Sequence, residues 1–217
     1  MKFYPVYLLF LFLSISSQAQ QISFGIKGGP SLVDVEVVAN SEGIDSESQY
    51  LKMRPSYHLG VFGFVDLNRK FYLQAELLYA NKGYRADYPR SSEANLHFHY
   101  LTIPVLLHYK IVEKLHGGLG ATFGYMLAAR SKSEGGNLDV SWRYNNKLDM
   151  GINVGAKYEI SDKINLGIRY TYGLSNLFRE RGVIIDVNGN PTTKGPKYQN
   201  RELQFSVGYA IGSAKFK

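Results

Sequence analysis

The sequence has no cysteine, so disulfides, cysteine-ligated metals and lipid attachment at a cysteine are excluded. It has a single tryptophan, Trp142. Past Ile15 no apolar run approaches the about 20 residues that a transmembrane helix needs, which argues against a helical membrane protein. The formal charge of +7 is scattered along loops and strand edges, with no basic helix or basic-aromatic strip, so nucleic acid is not expected as a partner. A phosphate loop is missing: Gly118-Leu119-Gly120 meets Phe123 where a further glycine belongs. A calcium loop is missing too, because Asp186-Val187-Asn188-Gly189-Asn190 leads to Pro191 and Lys197 where glycine and glutamate are required. No cofactor is expected.

What the chain does have is Tyr (17), Gly (22) and Phe (12), arranged with a rhythm. About eight segments alternate apolar and polar residues. The gaps between them alternate between tight turns and long polar loops. Asn68-Arg69-Lys70, Val112-Glu113-Lys114 and Ser161-Asp162-Lys163 are the turns; residues 39–55, 84–95, 129–147 and 176–200 are the loops. Short turns on one side and long loops on the other are the signature of an outer-membrane β-barrel. Lys2 followed by the apolar run Phe3 to Ile15 and by Ser17-Gln18-Ala19 predicts a signal peptide, residues 1–19, ahead of one barrel domain, residues 20–217.

The last strand shows the pattern most clearly. Leu203, Phe205, Val207, Tyr209 and Ile211 fall on one face; Gln204, Ser206, Gly208 and Ala210 fall on the other. One face suits lipid and the other a crowded lumen. The third to seventh strands repeat this, with Leu73 and Leu77, Leu101 and Ile103, Leu119 and Phe123, Ile152 and Val154, and Leu166 and Ile168 outward. The second is less clean, because Phe62 and Phe64 fall on the inner parity. In the first, Gly28-Gly29-Pro30 suggests a kink or bulge. Together these predict an all-β fold: an eight-stranded antiparallel transmembrane β-barrel of the outer membrane, with no unpaired edge facing lipid. Inward Lys27, Glu76, Lys157 and Arg169 are expected to form a lumen charge network of structural character, with Glu76 paired to at least one cation because a lone buried carboxylate is costly.

The ordered pieces also resemble a known family, the small outer-membrane β-barrel domain proteins of Bacteroidetes often labelled PorT-like. They are Phe24-Gly25-Ile26-Lys27-Gly28-Gly29, Leu73-Gln74-Ala75-Glu76-Leu77-Leu78-Tyr79, Tyr100-Leu101-Thr102-Ile103-Pro104, Gly120-Ala121-Thr122-Phe123-Gly124-Tyr125 and Arg169-Tyr170-Thr171-Tyr172-Gly173. The resemblance implies an eight-stranded outer-membrane barrel without a catalytic residue, and in one named member a link to protein secretion.

Other chemistry has little support. His97 and His99 share a strand face and could share a metal with Asp87 or Glu93, or act as bases beside Ser91 and Ser92, but histidine at a strand end and serine in a polar loop are common without either role. Asn188-Gly189 between strand formers predicts a hairpin that extends the seventh and eighth strands as a ribbon. Among the loops, the first is acidic (Glu42, Asp45, Glu47) and the last is basic (Arg179, Arg181, Lys194, Lys197). The third offers Trp142, Arg143 and Tyr144, which suit either a protein contact or an anchor at the headgroup level. The expectation is a non-enzymatic outer-membrane protein with a structural or protein-interaction role, in contact with outer-membrane lipid and a protein partner, and accessory to secretion. The alternatives are an outer-membrane enzyme acting on lipid or peptide at the rim, and a soluble lipocalin-like barrel.

Overall fold

The computed structural model describes residues 21–38, 50–87, 93–133, 135–178, 184–185, 191–192 and 197–215. The expected signal segment lies outside them, as do Glu42, Asp45, Glu47, Ser91, Ser92, Arg179, Arg181, Asn188, Gly189 and Lys194. Eight antiparallel strands form a closed ring: β1 (Gln21–Val38), β2 (Arg54–Asp66), β3 (Phe71–Ala86), β4 (Ala94–Val112), β5 (Leu115–Ser133), β6 (Leu148–Glu159), β7 (Ile164–Gly173) and β8 (Lys197–Lys215). Each pairs with its chain neighbours, and β8 returns to β1 in register from Ile22 opposite Ala214 to Val38 opposite Lys197. Closure leaves the barrel wall no edge, as the interior of a bilayer demands.

The alternation read from the sequence sets which face meets lipid. Leu59, Leu77, Ile103, Leu119, Val154, Ile168 and Val207 are exposed on the outer wall. Aromatic residues bound this band: Phe71 packs on Tyr109 at one end (centroids 5.1 Å apart) and Tyr57 on Tyr79 at the other (6.0 Å). The soluble lipocalin-type alternative required apolar residues inside and is overturned by this wall. The tight turns are built by side-chain caps. Asn68 Oδ1 accepts the backbone N–H of Lys70 and of Phe71, both at 2.9 Å, and Ser161 Oγ accepts that of Ile164 at 3.1 Å.

The structure departs from the sequence reading in three places. The irregularity of β1 lies between Phe24 and Gly25, where its register on β8 shifts, and the strand runs straight through Gly28-Gly29-Pro30. The strands reach further into the long loops than expected. β4 and β5 have 19 residues each, nearly twice the roughly 9–11 that cross a bilayer, whereas β7 has 10. Finally, Ile184–Ile185 pairs with Pro191–Thr192 as a separate two-stranded ribbon and not as an extension of β7, which ends at Gly173.

The unequal strand heights decide what covers the extracellular mouth. Over the low side at β6 and β7, the segments 140–147 and 174–178 fold inward. Asn146 Nδ2 donates to the Asn176 carbonyl at 2.6 Å, and the Leu177 N–H donates to the Tyr198 carbonyl at 2.9 Å.

Candidate functional site: a sealed lumen and its rim

The lumen is filled in layers. At its middle, Glu76, whose side chain is 1% exposed, accepts from Lys27 Nζ and from Arg169 Nη1, each at 2.9 Å, and from Gln74 Nε2 at 2.6 Å. Arg169 Nε donates to Gln204 Oε1 at 2.9 Å, and Gln204 Nε2 to Glu202 Oε1 at 2.8 Å. Glu202 lies 3.6 Å from Lys82 Nζ, which donates to Asp149 Oδ2 at 2.8 Å. The result is one chain of contacts, Lys27–Glu76–Arg169–Gln204–Glu202–Lys82–Asp149, in which cations and carboxylates alternate and cancel. Charges this deep survive only when paired and hydrogen-bonded, and here each is. Neutral pairs complete the layer: Ser31 with His58, and Asn153 with Thr122 and Thr171. The cavity against Glu76 and Arg169 is about 30 Å³, room for a water molecule rather than a solute.

Of the four residues expected in this network, the structure joins Lys27, Glu76 and Arg169. Lys157 stands apart towards the tight-turn end. It pairs with Glu159 at 3.2 Å and sits over the rings of Tyr72 (4.5 Å) and Phe64 (5.2 Å). Phe62 and Phe64, which break the alternation of β2, therefore belong inside: Phe64 is a platform for an ammonium group. Lys82, Asp149 and Glu202 complete the network without having been expected in it, although all sit at inward positions. His108 stacks on Tyr72 with centroids 4.7 Å apart and lies over Gly118, where a Cβ would come within 2.7 Å of its ring. That close approach accounts for glycine at position 118.

Towards the extracellular end the lumen becomes apolar. Leu96, Phe98 and Tyr100 from β4, Met126 and Ala129 from β5, and Val140, Tyr144 and Leu177 from the infolded segments form one buried cluster. Tyr144 packs edge-on against Phe98 at 4.6 Å. The Trp142-Arg143-Tyr144 cluster is thus split. The chain turns at residues 140–143, closed by the Arg143 N–H on the Val140 carbonyl at 2.9 Å, so Tyr144 enters the plug while Trp142 is 76% exposed with Arg143 over its ring at 5.8 Å.

His97 and His99 face outward, and His108 faces the lumen, so the three do not converge. Tyr79 hydroxyl bonds His99 Nδ1. Asp87 is held by Lys52 at 2.5 Å, whose hydrogen bond keeps the Asp87 carboxyl below its ordinary titration range, and Glu93 lies 3.6 Å from Arg85. Both carboxylates are thus committed to cations. Among the described residues no group of three metal-ligating side chains occurs.

A closed eight-stranded ring with an apolar outer belt, aromatic borders and a polar lumen defines an integral outer-membrane β-barrel. The chain matches the outer membrane protein β-barrel domain family over residues 18–179 and belongs to it. In fold it is similar to Neisserial surface protein A, with a TM-score of 0.53 at 14% identity over 87% of this chain and 97% of that one. Ail, the attachment invasion locus protein of Yersinia pestis, aligns with a TM-score of 0.46 at 15% identity over 89% of this chain and 100% of its own. The outer membrane protein W of E. coli aligns at 0.42 and 15% identity, over 90% and 100% respectively. No curated protein matches the chain in sequence.

Proposed function

We propose that the protein is a non-enzymatic outer-membrane barrel that presents a rigid extracellular surface to a protein partner, in a structural or secretion-accessory role. The observation that carries this reading is the double closure of the lumen by the charge chain at its middle and the apolar plug above it. An eight-stranded barrel already has an interior that side chains just fill. With that route occupied, function falls to the rim, where loops are held by a stiff wall. Among the described residues of the rim, Trp142 is the most exposed large hydrophobic side chain, with Arg143 beside it. They project from a turn anchored on both sides by buried Val140 and Tyr144, so little ordering entropy is lost on contact. The resemblance to PorT-like barrels supports the link to secretion, and removal of residues 1–19 on export is part of the same reading.

The test is photo-crosslinking in native outer membrane from a reactive amino acid placed at position 142. The reading predicts one discrete adduct with another envelope protein, absent when the reactive group is moved to lipid-facing Leu119. Adducts with lipid alone from position 142 would make Trp142 a headgroup anchor instead. Turnover of a lipid or peptide substrate that is lost on His97→Ala would favour the enzymatic alternative.

A further inference from the structure

The wall between β2 and β3 has a seam. Backbone pairing ends at His58 opposite Ala80 and resumes, shifted by one residue, where Lys52 pairs with Arg85. Between these points the carbonyls of Asn81 and Lys82 accept from side chains, Ser56 Oγ and Arg54 Nη2 (the latter at 3.0 Å), and Gly83 adopts a φ of 124°. Arg54 Nη2 also donates to Asn81 Oδ1 at 2.5 Å, yet its Nε is buried without a partner. Beside the seam a hollow of about 660 Å³ opens on the outer wall, lined by Arg54, Arg85, Glu93, Asn95, His97 and Lys132 among others. The strand register sets these in two rows: Arg85, Asn95 and Lys132 above; Gly83, His97 and Arg130 below. Three carboxylates stand nearby. Asp87 is taken by Lys52, Glu93 lies by Arg85, and Asp139 is opposite Arg130 in register. Arg130 and Lys132 form no ion pair among the described residues, and with Arg54 they leave the hollow cationic.

The level of the hollow identifies its occupant. The rows sit directly above the outward Tyr57, Tyr79 and His99, which mark the extracellular border of the lipid band; Leu59 and Leu101 stand opposite Tyr79 in register, and Leu77 follows below it on the outer wall. A molecule with an anionic head at this height and acyl chains beneath would satisfy both surfaces. Arginine forks suit phosphate oxygens, and a basic group near a membrane surface attracts anionic lipid. We infer that the β2–β5 face binds the phosphate of an anionic outer-leaflet glycolipid, with Arg54, Arg85, Arg130 and Lys132 as the phosphate-contacting cations and the outer wall below as the acyl-chain track.

The test uses the full-length protein in nanodiscs containing either phosphorylated lipid A or its dephosphorylated form, with bound lipid counted by native mass spectrometry. The wild type is expected to retain the phosphorylated form and not the other. Arg85→Gln with Lys132→Gln should lower that retention by about tenfold or more, since each cation near the surface contributes measurably to anionic-lipid binding. If the double variant does not insert, Lys132→Glu alone carries the test, because that side chain is exposed and heat-modifiable migration reports its folding. Equal retention of the dephosphorylated lipid, or unchanged retention by the variants, overturns the inference. Displacement of the lipid by millimolar inorganic phosphate would also overturn it, making the hollow a site for a soluble anion.

Discussion

The middle of the lumen and its extracellular end are both fully packed, but by opposite chemistry. In the middle, Lys27, Arg169 and Lys82 alternate with Glu76, Glu202 and Asp149 in a chain that holds no net charge. At the end, Phe98, Tyr100, Met126 and Tyr144 form a core like that of a soluble protein. The middle is made wholly by strands, which bring inward side chains together in fixed register; long polar side chains span a barrel interior, and only paired charges are tolerable there. The end is made by strands together with three side chains, Val140, Tyr144 and Leu177, from segments that lean over the low β6–β7 side. Those segments can be held by apolar burial because water is available to their backbone groups above. One seal is therefore specific and brittle, the other adaptable.

The largest effect that separates the two seals should come from Glu76→Ala. It leaves Lys27 and Arg169 uncompensated, and destabilisation of about 3–5 kcal/mol is expected in urea unfolding from lipid bilayers. Phe98→Ala should cost a comparable or slightly smaller amount, about 3–4 kcal/mol, through a cavity in the plug, without altering the charge chain below. If both variants instead lost the same amount and only together, as a double variant no worse than either single one, the seals would be a single unit. Val207→Arg tests the wall that supports both: a cost of about 2–4 kcal/mol is expected if the position lies at mid-bilayer, and unimpaired assembly would contradict the lipid-facing assignment. Trp142→Ala should change stability by less than about 0.5 kcal/mol, since the ring touches neither seal. Smallest of all is the Lys52–Asp87 pair above the wall. The folded Asp87 titrates below its unfolded value, so its contribution is present above roughly pH 4 and lost as the pH falls through the folded value. Asp87→Asn should flatten that acid limb by lowering melting slightly at neutral pH while leaving it unmoved at low pH, as a pH series of thermal melts would show.

The lipid face was the legible part of the sequence, because period-two alternation alone decides it: Leu203, Phe205, Val207 and Tyr209 alternate, and the last three stand exposed as their spacing requires. The pairing of Glu76 with Lys27 and Arg169 could be anticipated from inward parity, since few other cations share its depth. The partnership of Lys82 with Asp149 and Glu202 carried the same parity signal but depended on the registers of three strands distant in sequence, which parity does not supply. The plug was hidden for a different reason. Phe98 and Tyr100 alternate with His97, His99 and Leu101, so both faces of β4 look partly apolar there, and nothing local says that Tyr144 and Leu177 will arrive from other loops. Trp142-Arg143-Tyr144 reads as one exposed cluster until the turn at residues 140–143 sends its members to opposite sides.

The central claim is that the lumen is closed at two levels and that the protein acts from its rim. Single-channel recording of the purified barrel in planar bilayers tests it most directly. The wild type should give no stepwise conductance, and Glu76→Ala combined with Phe98→Ala should give small open events. Stable, uniform conductance steps from the wild type would contradict the account.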